Sequence, residues 1–251
     1  MKDTMQLGHP TRLGYMTEKT QRDYIASAIT KGVLPKNAYR IPDIVSLTAP
    51  EGRSKPIQFW QLFSVLGVDP IVSIVENFYE RVFRDENWFT SVFERVGPLG
   101  HHVNTQAAMW IDVMGGGPYY HGAEYRLSFH HTHNAMQLMN DKGAGRWSEL
   151  MLDTLEDSTD ELTDDPRVRV SVNTFLGHFM SKYADDFGFE NRSFFGDTNP
   201  PFKHRIDFMK MSEKAIASLT EGEIRLALKE RGIEASDYAD KQSLVAKALM
   251  I

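Results

Sequence analysis

The chain has 251 residues, a formal net charge of -6 and no cysteine. These values exclude a disulfide framework, a thiolate metal site and a catalytic thiol, and they offer no general electrostatic pull toward nucleic acid or anionic membrane. A hydrophobic share of 41% suits a globular chain with one good core. No run of about 18 apolar residues is present, and residues 1–30 carry Asp3, Glu18 and Asp23 in place of a signal-like apolar stretch. The expectation is a soluble, unsecreted protein, cytoplasmic or otherwise intracellular, with no membrane partner.

In chain order, residues 1–55 hold a helical stretch near 20–29, then Gly32, Pro35, Pro42, Pro50 and Gly52 at intervals too close for long elements. They read as an irregular N-terminal arm lying over the main domain. From Pro56 the pattern changes. Phe59, Leu62, Phe63 and Leu66 recur at helical spacing and are closed by Gly67. Asp69-Pro70 then opens a second helix, as a cap followed by proline, with Ile71, Ile74, Val75, Phe78, Tyr79 and Val82 on one stripe. Trp88, Phe89, Val92 and Phe93 form a short bulky element. A helix over residues 101–114 places Val103, Ala107, Trp110 and Ile111 on one face and stops at Gly115-Gly116-Gly117-Pro118, a run that cannot continue it.

Four of the nine histidines, His121, His130, His131 and His133, follow within thirteen residues. Imidazole ligates iron, zinc and copper readily and titrates near neutral pH, so such a cluster reads first as a metal or haem site. Residues 123–139 are expected as a helix bearing these histidines, 140–143 as a turn, and 146–157 as a helix with Trp147, Leu150 and Met151 inward. Asp165-Pro166 opens another helix carrying Val168, Val172, Phe175, Leu176, Phe179 and Tyr183, ending near Gly188. Nothing from 56 to 188 alternates as a strand, so the main domain, 56–188, is expected to be all-α. Residues 189–218 read as a linker. In the tail, Thr220-Glu221-Gly222-Glu223 fits a capping box, Gly232 ends the first helix, and Leu244, Val245, Ala248 and Leu249 stripe a second one. Residues 219–251 are thus expected as a helical hairpin too small to bury much core alone.

Phe78-Tyr79, Val92-Phe93, Gly116-Gly117-Pro118, Tyr120, the histidine helix and Trp147 stand in the order and near the spacings of a truncated haemoglobin, and the group II branch is most similar. The resemblance covers roughly residues 60–187. It implies a two-over-two helical sandwich around haem b, with a histidine on one side of the iron and a pocket for diatomic ligands on the other. It also implies that Tyr79 points its hydroxyl at the ligand, that Phe93 packs on the porphyrin edge, that Leu138 is an aliphatic haem contact, and that Trp147 donates from the ligand side. Each of these residues would equally serve as ordinary core packing.

For the iron ligand, family spacing favours His133, thirteen residues after Tyr120 and fourteen before Trp147. His130 lies one turn earlier as the alternative, and His131 is expected to be exposed. Over the iron, counting back from Gly116 places Val103 and Ala107, whereas counting from Gly115 places His102 and Gln106. Matching Trp110-Ile111 to the family favours the former. Arg126 is the first choice to pair with a haem propionate, with His121 and Arg146 behind it.

The tail resembles a SAP-like helix-turn-helix, a motif whose relatives often bind DNA. Its five basic and six acidic residues argue instead for a structural hairpin or one that docks a protein. The function these readings imply is a haem protein for oxygen, nitric oxide or related ligands. Turnover as a nitric oxide dioxygenase or peroxidase-like catalyst would require an external reductase. Two other readings stay open: a haem-free globin-like scaffold, and a mononuclear metal site built from His130, His133 and a carboxylate such as Glu124.

Overall fold

The computed structural model describes residues 11–158, 162–190, 195–199, 208–219, 221–229, 231–234 and 240–250, and among these there is no strand. The helices are α1 (Thr17–Thr30), α2 (Pro42–Val45), α3 (Phe63–Leu66), α4 (Val68–Val82), α5 (Asn87–Val96), α6 (Leu99–Val113), α7 (Ala123–Phe129), α8 (Asp141–Asp157), α9 (Pro166–Phe187), α10 (Glu213–Ser218), α11 (Glu221–Lys229) and α12 (Lys241–Leu249). The chain divides into two compact units between residues 202 and 203. The all-α expectation holds in both.

In the first unit α4 is the central element, packed against both α6 and α8. Its stripe of Ile71, Ile74, Val75, Phe78, Tyr79 and Val82 is buried along its whole length. Burying each such side chain is worth roughly 1.5–3 kcal/mol, so the stripe outweighs the modest helix propensity of its β-branched residues. The helix starts one residue before Asp69-Pro70, because Gly67 at φ 72° takes the cap position. Asp69 then sits in the first turn, where the helix dipole favours a carboxylate. The stretch expected as one helix from Phe59 to Leu66 is instead a 3-10 turn (Phe59–Gln61) followed by α3.

The two later helices have side-chain caps. Asn140 accepts from the Gly143 amide at 3.0 Å, so residues 140–143 are the cap and first turn of α8 rather than a free turn. Asp165 accepts from the Arg167 amide at 3.1 Å, and Gly188 at φ 74° closes α9. The Arg167 guanidinium also donates to the carbonyls of Pro50, Gly52 and Lys55, each at 3.0 Å.

That last contact belongs to a wider correction. Residues 11–55 are not a solvated arm over a domain that begins at 56. Met16, Ile25, Leu34, Ala38, Ile44 and Ala49 are buried in the same core as Trp60, Phe78 and Phe175. The Trp60 indole donates to the Ile44 carbonyl at 2.8 Å. Glycine and proline made this segment irregular without making it peripheral, since most of its aliphatic side chains turn into the core while Leu13, Tyr15 and Tyr39 stay exposed. At the other end Asn199, inside the expected linker, donates to the Ile57 carbonyl at 2.6 Å and so belongs to the first unit.

The second unit has its own core of Phe208, Ile216, Ile224, Leu228, Leu244 and Ala248. The expected two-helix hairpin is therefore extended by α10 and Phe208, which supply the apolar surface it lacked. Asp240 caps α12, accepting from the Ser243 amide at 2.8 Å. Thr220 of the expected capping box lies outside the described residues.

Candidate functional site

The first unit encloses a cavity of about 370 Å³, within the range of small-molecule sites. Its walls are mostly apolar and come from α4, α5, α6, the 120–139 segment, α8 and α9. Polar groups enter it at a few points.

On one side stand α4 and α6. The stripe of α4 carries Tyr79 to the cavity, where its hydroxyl donates to Gln106 Oε1 at 3.2 Å. This turns the donor end of the amide away from Tyr79. Burial pushes the Tyr79 phenol well above its usual range, so it remains a hydrogen-bond donor at any physiological pH. His102 is buried, and its Nε2 lies 2.8 Å from the Phe93 carbonyl. With a carbonyl as partner that nitrogen carries the proton, and burial lowers the pKa further toward the neutral ring. His102 thereby holds the end of α5, including Phe93, whose ring is 5.9 Å from that of Tyr79.

The opposite wall departs from a regular helix. After α7 the Ala135 amide bonds to the His130 carbonyl at 2.9 Å, an i to i-5 closure that makes His130–Asn134 a π-turn. The wider turn rotates the residues that follow it away from their α-helical positions. His130 and His131 line the cavity, and His131 lies 4.3 Å from the Tyr183 ring of α9. His133, expected as the iron ligand, is not brought to the cavity. It is exposed, stacked flat on Phe129 at 4.3 Å and 11°, with Nδ1 2.8 Å from Thr132 Oγ1, over a surface depression shared with Arg95 and Gln137. Burial, then the neighbouring His102 and His101, pushes His130 down to about 4. Burial, then His130, pushes His131 down to about 3. Both are neutral imidazoles at neutral pH, the form that can ligate a metal.

Among the other expected residues, Tyr79, Phe93, Leu138, Trp147 and Arg126 line the cavity. Trp147 packs on Phe78 with ring centres 5.0 Å apart. Val103 and Ala107 are buried but do not line it; α6 presents His102, Gln106, Met109 and Trp110 instead. The three glycines concealed this register. Gly115 at φ 92° turns the chain, and the Gly116 amide closes back on the Ile111 carbonyl at 2.8 Å, so the count runs from Gly115. Arg126 donates to Thr105 Oγ1 at 3.1 Å and lies 4.9 Å over the Tyr120 ring. Arg146 is engaged by Asp85 and Glu149, and His121 packs 5.1 Å from Tyr15, so neither faces the cavity. Glu124 pairs with Lys19 at 3.1 Å, and among the described residues no three histidine or carboxylate side chains gather as a metal set.

Sequence reasoning named Gln106 only in the disfavoured register and did not pair it with Tyr79. A buried tyrosine hydroxyl requires a partner, and a polar residue on the facing helix was the available signal. Tyr183 and Phe179 were placed correctly on α9 but not recognised as cavity wall.

Residues 61–181 match the bacterial-like globin family. Over 110 residues, 43% of the chain, the sequence is 29% identical to two-on-two hemoglobin-3 of Arabidopsis thaliana, and this alignment spans 61% of that protein. Over 140 residues, 55% of the chain, it is 27% identical to group 2 truncated hemoglobin 3-1 of Lotus japonicus, spanning 72% of it. No solved structure matches significantly.

Proposed function

We propose, from the match of residues 61–181 to the bacterial-like globin family and the similarity to two truncated hemoglobins, that the cavity holds haem b and that the protein binds a diatomic ligand such as oxygen or nitric oxide there. One observation carries the reading: a largely apolar cavity has two neutral imidazoles, His130 and His131, on one wall and the Tyr79–Gln106 pair on another. A haem site needs a neutral imidazole among apolar walls, with a few polar groups opposite it, and this cavity offers both. When bound, haem supplies an iron that takes up diatomic ligands reversibly.

The chain's own residues do the rest. One imidazole of the His130–His131 pair would hold the iron, since both line the cavity and His133 faces solvent. Tyr79 and Gln106 offer N–H and O–H donors to a polar ligand, and Phe93, Leu138 and Trp147 form apolar walls that exclude water. Arg126 is a cationic group on the cavity wall and the partner for a propionate. Redox turnover, as a nitric oxide dioxygenase or peroxidase, would draw electrons from an external reductase.

The test is the absorption spectrum of haem-reconstituted protein. The expected result is an intense Soret band that His133→Ala leaves unchanged and that either His130→Ala or His131→Ala alters. Absence of the band sinks the haem reading in favour of a haem-free scaffold. Loss of iron coordination in His133→Ala alone overturns the histidine assignment.

A further inference from the structure

The wall that bears the imidazoles hangs from the hinge formed by residues 115–124, and that hinge is held from an unexpected direction. Asp112, near the end of α6, is completely buried. Its Oδ1 accepts from the Met16 amide at 2.8 Å, and its Oδ2 accepts from the amides of Tyr15 and Tyr120, both at 3.1 Å. One carboxylate thus joins three pieces of chain: the N-terminal segment, α6 and the hinge. Backbone packing around it is tight. A Cβ on Gly14 would meet Asp112 Oδ1 at 2.1 Å and the Gly117 carbonyl at 2.6 Å, and a Cβ on Gly117 would meet Arg12 Nε at 2.6 Å. Arg12 donates its amide to the Gly115 carbonyl at 3.2 Å, and Lys19 pairs with Glu124 at 3.1 Å.

We infer that Asp112 is a positioning residue which, with residues 12–19, clamps the hinge and so sets where Tyr120 and the His130–His131 pair stand in the cavity. Tyr120 is the direct link. Its amide is bound to Asp112, its ring lines the cavity, and Arg126 of α7 lies over that ring while reaching Thr105 on α6. The matched globin region begins at residue 61, so the clamp draws on a segment outside it. Only the haem-linked readout below rests on the proposed function.

The experiment compares Gly14→Ala and Asp112→Asn with Ile25→Ala, a variant that opens a void beneath α1 without touching the clamp. Gly14 lies outside both the hinge and the cavity lining, so it keeps the test usable if Asp112→Asn fails to fold. In haem-free full-length protein, amide hydrogen exchange should rise roughly tenfold at Tyr120 and through α7 in the first two variants, the effect of one or two lost buried hydrogen bonds. At equal loss of thermal stability Ile25→Ala should leave those amides slow. In haem-reconstituted protein the iron–histidine stretching frequency should shift in the same two variants and not in the third. Equal exchange at the hinge in all three variants overturns the inference and leaves Asp112 a merely structural anchor. A clamp effect on exchange in a protein that gains no Soret band would defeat the haem reading alone.

Discussion

The Tyr79 hydroxyl has one hydrogen to give, and in the structure it gives it to Gln106. A polar ligand entering the cavity would compete for that hydrogen and for the Gln106 amide together, so the two side chains act as one unit. Tyr79→Phe is expected to speed oxygen dissociation roughly tenfold, the loss of one strong hydrogen bond in an apolar site. Gln106→Leu should do the same to a similar degree, and the double variant should fall short of the product because the residues share a partner. Stopped-flow displacement measures all three. An unchanged rate in Tyr79→Phe removes the residue from ligand stabilisation. Val103→Leu is expected to leave the rate within about twofold, since Val103 does not reach the cavity and surrounding core absorbs a modest volume change.

Elements with a long apolar period were legible from sequence alone. α4 and α9 each repeat a bulky residue every three or four positions, and no competing force acts on so long a stripe. The π-turn was not legible, because it depends on one backbone bond, Ala135 to His130, in a run of polar residues with no periodicity. Across this wide turn His131, expected outside, lines the cavity, and His133, expected inside, faces solvent. The glycine run before it hid the register of α6 for a similar reason: three identical residues give no sign of which one turns the chain. Within α8 the two glycines behave oppositely. A Cβ on Gly143 would meet the Leu138 carbonyl at 2.1 Å, backbone against backbone, whereas a Cβ on Gly145 meets nothing within 4 Å. Gly143→Ala should destabilise by about 1–3 kcal/mol, and Gly145→Ala should stabilise by about 0.5–1 kcal/mol. Denaturant unfolding of the two variants side by side checks both signs.

At the scale of the whole molecule, three histidines of the first unit besides His102 are held toward the neutral form by burial. His178 sits between Tyr24 and Phe59, with ring centres 5.4 and 5.7 Å distant, and burial pushes it down to about 4 from its usual 6.5. His130 and His131 are lowered for the same leading reason. The unfolded chain therefore takes up these protons before the folded one does. Their contribution to stability is complete above pH 6.5 and is lost as the pH falls, down to about 4 for His130 and His178 and to about 3 for His131. Thermal midpoints should drop across that window, and His178→Gln should flatten part of the slope while leaving iron coordination untouched. The N-terminal segment, residues 11–55, explains why the whole was harder to read than its helices. Its glycines and prolines report only that the chain bends often. That the bends deliver Ile44 under Trp60 and residues 12–19 against Asp112 depends on partners far along the chain, which no local pattern encodes.

Of the four tryptophans, Trp110 and Trp147 line the cavity. Haem absorbs where indole emits and quenches it by resonance energy transfer, whose efficiency falls steeply with distance. The protein therefore carries its own optical gauge of occupancy: titrating haem into the empty chain should quench those two indoles while leaving the emission of Trp60 and Trp88, which stand off the cavity walls, less affected.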